Sequence, residues 1–214
     1  MRRISSIVHV LILAILGCAA CGGDDGGGGG SSAGGSGGGG SGGGGAGGGA
    51  AACQTLATSS LPGVSIEFTT SDCSYTLAEA AAGITIDYEV IVEADIPNLF
   101  PQPQDEGGCD QPGPSGLILF ENLSGGGQRY CVCDVGVCPG PSGDPGTAIQ
   151  GVHPATFLWD GRNWTGPSDT GVPKGDPFSA GEYTLSVSAV GTFDDAGAQA
   201  PFQVEGTFVI HLLP

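Results

Sequence analysis

Positive charge is scarce in this chain: five Lys and Arg stand against 22 Asp and Glu, and two of the five, Arg2 and Arg3, sit at the very start. Such a balance repels phosphate backbones, so nucleic acid is excluded as a partner. Catalytic signatures are missing as well. There is no GxSxG elbow, HExxH helix or cysteine–histidine signature; of the two histidines outside the N-terminal run, His153 stands before Pro154, and His211, alternating with Ile210 and Leu212, reads as an outward-facing strand residue. Calcium suits carboxylates chemically, yet the acids are scattered and no DxDxDG run with a downstream Glu exists. Asp194-Asp195, close to Gly197, reads as a solvated turn. No catalytic residue, cofactor or metal ligand is therefore assigned, and the chain is read as a non-enzyme. A carboxylate pair built only by folding keeps a secreted hydrolase as an alternative. The N-terminal apolar run, Ile7 to Gly17, has 11 residues, short of the roughly 20 that cross a bilayer as a helix.

What is present begins with that run. A basic start, an apolar stretch and then Ile15-Leu16-Gly17-Cys18 resemble the lipobox of bacterial lipoproteins. The resemblance implies removal of residues 1–17, a diacylglycerol thioether on Cys18, with Cys21 as the alternative thiol, and anchoring to a membrane through lipid. Ala19 after the modified cysteine resembles an outer-membrane sorting signal. Plain secretory cleavage after Ala20 is the competing reading. With residues 1–17 gone, Arg129, Arg162 and Lys174 face 22 carboxylates, which gives a formal charge of −19.

Between Gly22 and Ala50, 20 of 29 residues are Gly. Nothing there offsets chain entropy, so the expectation for 18–52 is a disordered Gly/Ser-rich tether that holds the folded part away from the lipid.

From Cys53 to Pro214 the composition changes to that of one domain. Prolines and glycines punctuate it about every ten residues, and apolar residues alternate between them, as short antiparallel strands require. In Ile86–Asp95 the period of two turns Ile86, Tyr88, Val90, Val92 and Ala94 to a core and Asp87, Glu89, Glu93 and Asp95 to water. Further strands are expected at 64–69, 117–123, 128–133, 155–160, 183–190 and 202–212, with Ser124 to Gly127 closing a hairpin. This strand count predicts an all-β, antiparallel, immunoglobulin-like β-sandwich over 53–214. Thr76-Leu77-Ala78-Glu79 fits a capping box, so 76–82 is either a short helix or an extended edge.

Six cysteines lie in this domain, Cys53, Cys73, Cys109, Cys131, Cys133 and Cys138. An even number in an exported domain predicts disulfides. Proximity favours Cys53 with Cys73, and ties Cys109 into the Cys131–Cys133 region, with Cys138 as a further partner. Four thiolates on zinc is the alternative, but one lone cysteine and a CxC do not make the paired knuckles of a structural site.

Phe157-Leu158-Trp159-Asp160-Gly161 and Ala180-Gly181-Glu182-Tyr183-Thr184-Leu185 resemble the WDG…GxY hairpin of immunoglobulin-like domains in flagellar hook-capping proteins and in intracellular proteinase inhibitors of bacilli. The resemblance places Trp159 and Tyr183 in the core from adjacent strands. Here a long insertion separates the two halves, and it carries Arg162, Trp164, Asp169, Lys174 and Asp176. Exposed Trp and Arg dominate recognition surfaces, and loops on a rigid sandwich carry function. The 162–180 loop is thus the candidate site for a protein or glycan ligand, the alternative being that Trp164 folds back over the sheet edge and buries itself. The functional expectation is a lipid-anchored envelope protein displaying a non-catalytic β-sandwich, with a protease-inhibitor-like module as the first alternative.

Overall fold

The computed structural model describes residues 53–104, 111–131, 143–164 and 173–214, which fall in one compact unit, Gly49–Pro214. Eleven strands and one helix follow in the order β1 (Thr55–Ser59), β2 (Val64–Phe68), β3 (Ser74–Thr76), α1 (Leu77–Ala82), β4 (Ile84–Val92), β5 (Ile96–Gln102), β6 (Phe120–Gly125), β7 (Gln128–Cys131), β8 (Gly146–Ala148), β9 (Gly151–Trp159), β10 (Gly181–Asp195) and β11 (Ala198–Leu213). The described part is all-β, antiparallel in all but one of the pairings between strands, and disulfide-bonded.

Two sheets face each other. The smaller has the order β2-β4-β9; the larger is built on β10 and β11, with β1 and β3 along the outer edge of β11 and β5 and β6 along β10. β10 and β11 form one hairpin, paired from Gly181↔Leu212 to Asp195↔Ala198. Its turn places Ala196 at φ 53° and Gly197 at φ 88°, the left-handed pair a two-residue hairpin needs. Asp194 Oδ1 accepts the Gly197 N–H at 2.6 Å; the Asp194-Asp195 pair, expected as a solvated turn, is exposed but forms the last two residues of β10, directly before the turn at Ala196-Gly197.

The period of two is visible in the burial. In β4 Ile86, Tyr88, Val90 and Val92 are buried, and in β11 Val204, Phe208, Ile210 and Leu212 meet them from the other sheet. Ala94 departs from expectation: the strand stops at Val92 and Ala94 is exposed. Gly206 of β11 packs directly against Ile66 of β2 in the other sheet. A β-carbon on Gly206 would lie 2.8 Å from Ile66 Cγ2 and from the Ile66 carbonyl oxygen. Tyr88 adds a polar link between the sheets, donating its hydroxyl to Glu121 Oε1 of β6 at 2.7 Å.

The short segment at 76–82 resolves as helix. Thr76 Oγ1 accepts the Glu79 N–H while Glu79 accepts the Thr76 N–H, a complete capping box, and Gly83 ends the helix. The 124–127 hairpin forms as expected, pairing Gly125 with Gln128 around Gly126 and Gly127, both at positive φ.

Cys53 and Cys73 are joined, as their proximity predicts. The bridge lies between two collinear strands: β1 runs antiparallel to β11 over 204–208, and β3 runs parallel to it over 211–213. Between them Val209 donates to the Gln54 carbonyl and His211 to that of Cys73, at 3.0 and 2.7 Å. The disulfide therefore fastens two short strands that flank one β11 edge. Cys131 is also disulfide-bonded. Cys18, Cys21, Cys109, Cys133 and Cys138 lie outside the described residues, as does the whole 18–52 segment.

Two stability measurements follow. Replacing Cys53 and Cys73 together by serine releases a 20-residue separation and should lower the unfolding free energy by about 3 kcal/mol, read from urea denaturation. Gly206→Ala forces a methyl against Ile66 of the facing sheet and should cost about 1–3 kcal/mol; an unchanged denaturation midpoint would mean that the sheets part there easily.

Candidate functional site

The 162–180 loop leaves the sandwich at the end of β9, where Trp159 is followed by Asp160 and by Gly161 at φ 75°. A β-carbon on Gly161 would lie 3.0 Å from the Ala80 carbonyl carbon of α1, so both backbone angle and space call for glycine. Beyond it the chain runs beside β7. Trp164 donates its N–H to the Arg129 carbonyl at 3.0 Å, and its own carbonyl accepts from Cys131 at 2.8 Å. Asn163 Oδ1 also accepts the Arg129 N–H at 3.0 Å.

The returning limb is tied to the outgoing one. Asn163 donates both its N–H and its Nδ2 to the Asp176 carbonyl, Gly175 donates to the Asn163 carbonyl, and Phe178 to that of Gly161. Phe178 then drops into the core between Trp159 and Tyr183, with ring centroids 4.6 and 4.7 Å away. This corrects one expectation. Trp159 and Tyr183 stand on opposite sheets, β9 and β10, not on adjacent strands of one hairpin, and the ring of Phe178 fills the gap between them. The Tyr183 hydroxyl lies 2.7 Å from Gln128 Oε1 and 2.9 Å from the Ser179 carbonyl, and Trp159 donates its indole N–H to the Arg162 carbonyl at 3.1 Å.

On this frame lies a groove of about 340 Å³, lined among others by Ile84, Thr85, Tyr130, Leu158, Asp160 and Lys174. Leu158 is 64% exposed at its rim. The Lys174 ammonium reaches Asp160 Oδ2 at 2.6 Å and sits 5.7 Å from the ring centroids of both Tyr130 and Trp164. Those two rings are 6.0 Å apart and tilted by 44°. The other carboxylate oxygen, Asp160 Oδ1, is buried without a hydrogen-bond partner among the described residues. An unmatched acceptor of this kind costs about 1–3 kcal/mol.

Of the five loop residues singled out from the sequence, the structure brings Trp164 and Lys174 to one cluster. Trp164 is half-buried and packs against the core; Arg162 and Asp176 are exposed, and Asp169 lies outside the described residues. Tyr130 and Asp160 complete the cluster. Asp160 stood in a quoted motif but only as a turn former, and Tyr130 carried no local signal, because a parallel bridge to Trp164 brings it there. Among the described residues no group of three or more His, Cys, Asp and Glu is assembled to hold a metal ion, and no helix is long and apolar enough to cross a membrane. No protein family, characterised protein or solved structure matches the chain.

Burial raises the phenol of each of the four tyrosines above its ordinary range. Glu121 adds to this at Tyr88, Asp160 and then Glu121 at Tyr130, and Asp72 and then Glu79 at Tyr75; at Tyr183 burial is the leading cause. A phenol raised in the folded state stabilises the fold fully below the unfolded value, about pH 10, and that contribution drains away as pH rises further. Absorbance at 295 nm should therefore stay low past the usual tyrosine range and rise together with loss of the β circular-dichroism signal. Phenolate appearing fully before unfolding would contradict the assignment.

Proposed function

We propose that this protein is a lipid-anchored component of the bacterial cell envelope, sorted to the outer membrane, whose β-sandwich presents a non-catalytic binding surface. The supporting observation is the groove at the root of the 162–180 loop. Exposed Leu158, the rings of Tyr130 and Trp159, and Asp160, whose Oδ1 has no hydrogen-bond partner among the described residues, line a concave surface on a rigid frame. Such a surface, on which apolar side chains alternate with directed polar groups, suits recognition. The loop is zipped along both limbs by backbone hydrogen bonds, which favours a preformed site and lowers the ordering cost of binding.

The anchor rests on the Ile15-Leu16-Gly17-Cys18 pattern. Two or three acyl chains, at about 0.8 kcal/mol per buried methylene, hold a protein stably at a bilayer. The glycine-rich stretch that follows suits a spacer.

Two experiments test the two halves. Cells fed labelled palmitate should incorporate it into the wild type and into Cys21→Ala, but not into Cys18→Ala, which should move to the aqueous phase on detergent partition. Label retained in Cys18→Ala would shift the anchor to Cys21, and no label at all would remove it. A photo-crosslinking residue at Leu158, on the groove rim, should give an adduct on living cells that one at Leu56, on the β1 edge, does not; equal or absent adducts would sink the binding role of this groove.

A further inference from the structure

The mixed aromatic and acidic cluster at one end of the groove already holds a cation, and that cation belongs to the chain itself. We infer that Tyr130, Trp164 and Asp160 form a cage for the alkylammonium group of a lysine side chain on a partner protein, and that Lys174 is its built-in stand-in occupant. The inference deepens the binding role proposed above and rests on it.

Three observations support it. A cation over two aromatic faces with a carboxylate behind it is the arrangement that captures alkylammonium groups. Here Lys174 Nζ is 5.7 Å from both ring centroids and 2.6 Å from Asp160 Oδ2. Second, the occupant fits imperfectly. It satisfies Oδ2 and leaves Oδ1 without a partner among the described residues, an acceptor that an ammonium entering along the groove at a different angle can reach with one of its three donors. Third, the walls are fixed while the occupant is accessible. Tyr130 is buried in β7 and Trp164 is tied by backbone hydrogen bonds to Arg129 and Cys131, but the Lys174 side chain is 37% exposed. An exposed ion pair of this sort is weak and exchangeable.

Charge chooses the partner. Only Asp24 and Asp25 of the 22 acids precede residue 53, so the sandwich carries 20 carboxylates against Arg129, Arg162 and Lys174. Its field draws basic protein surfaces. The groove that runs on from Lys174, past Thr85, Ile84 and Leu158, gives the methylene stem and flanking peptide an apolar wall. Lys174 then acts as an internal competitor, lowering the apparent affinity by the fraction of time it occupies the cage.

The test titrates the purified full-length protein with a blocked Gly-Lys-Gly peptide, its norleucine analogue and choline, following the Trp164 indole resonance assigned with Trp164→Phe. The lysine peptide should bind Lys174→Ala on the order of tenfold tighter than wild type, and Asp160→Asn added to Lys174→Ala should abolish binding. Equal affinity for the two proteins, or equal binding of norleucine, would overturn the cage. Choline binding more tightly than the peptide would overturn the assignment to a protein lysine. Should Lys174→Ala melt early, the wild type decides alone: the lysine peptide must shift Trp164 and the norleucine peptide must not. These titrations do not depend on the Leu158 crosslinking, so failure of either leaves the other interpretable.

Discussion

The β10–β11 ladder is the constraint on which the rest of this fold depends. It runs in continuous register from the Asp195↔Ala198 end to Gly181↔Leu212, and β1, β3, β5 and β6 all hydrogen-bond to one of its two outer edges. A slip of one residue would turn every inward side chain of β11 to water. Phe208, Ile210 and Leu212 would then leave the core together, so the core and the ladder enforce each other. The left-handed pair Ala196-Gly197 sets the register at one end, and the Cys53–Cys73 bridge fastens the strands bordering β11 near the other.

The same ladder explains where the loop site lies. β9 belongs to the small sheet and β10 to the large one, so the chain between them must cross from one layer to the other over an open end of the sandwich. A short turn cannot do this while also covering the aromatic gap below. The 162–180 insertion crosses, drops Phe178 between Trp159 and Tyr183, and on the way borrows hydrogen bonds from the edge of β7. The groove lies beside that crossing: Ile84, Thr85, Leu158 and Trp159 of the small sheet line it together with Tyr130 of β7 and Lys174 of the loop.

How much of this the sequence disclosed depends on the kind of signal each element leaves. β4 was legible because one face meets water and the other the core, and the alternation from Ile84 to Val92 follows. β1 left no such trace, since all five of its residues are exposed and it is held by backbone bonds to β11. β5 was hidden by Pro97 and Pro101 and by a register shift at Asn98, whose φ is 56°; proline in a strand is tolerated at such an irregularity, but it reads as a break. The helix was half legible, because a capping box is local chemistry while the choice between helix and edge is not. Trp159 and Tyr183 are core residues, as their motif implies, but which sheet each joins depends on pairings more than 50 residues apart in sequence, such as Ile84↔Trp159.

The candidate site was legible in its loop and not in its chemistry, and the reason is again range. Trp164 and Lys174 stand out in any reading of the insertion, one as an aromatic and the other as a scarce cation. What gives them meaning is Tyr130, delivered from β7 by a backbone bridge, and Asp160, which turn geometry alone would have explained. In a chain this acidic a lone lysine has many carboxylates to choose among, and long-range attraction to the whole surface selects none of them. Its place between two rings and beside one particular carboxylate is therefore set by local structure: the zipped limbs bring it there, and the two ring faces reward a cation and no neutral group to the same degree. That selectivity is a property of the walls and outlasts the departure of any one occupant.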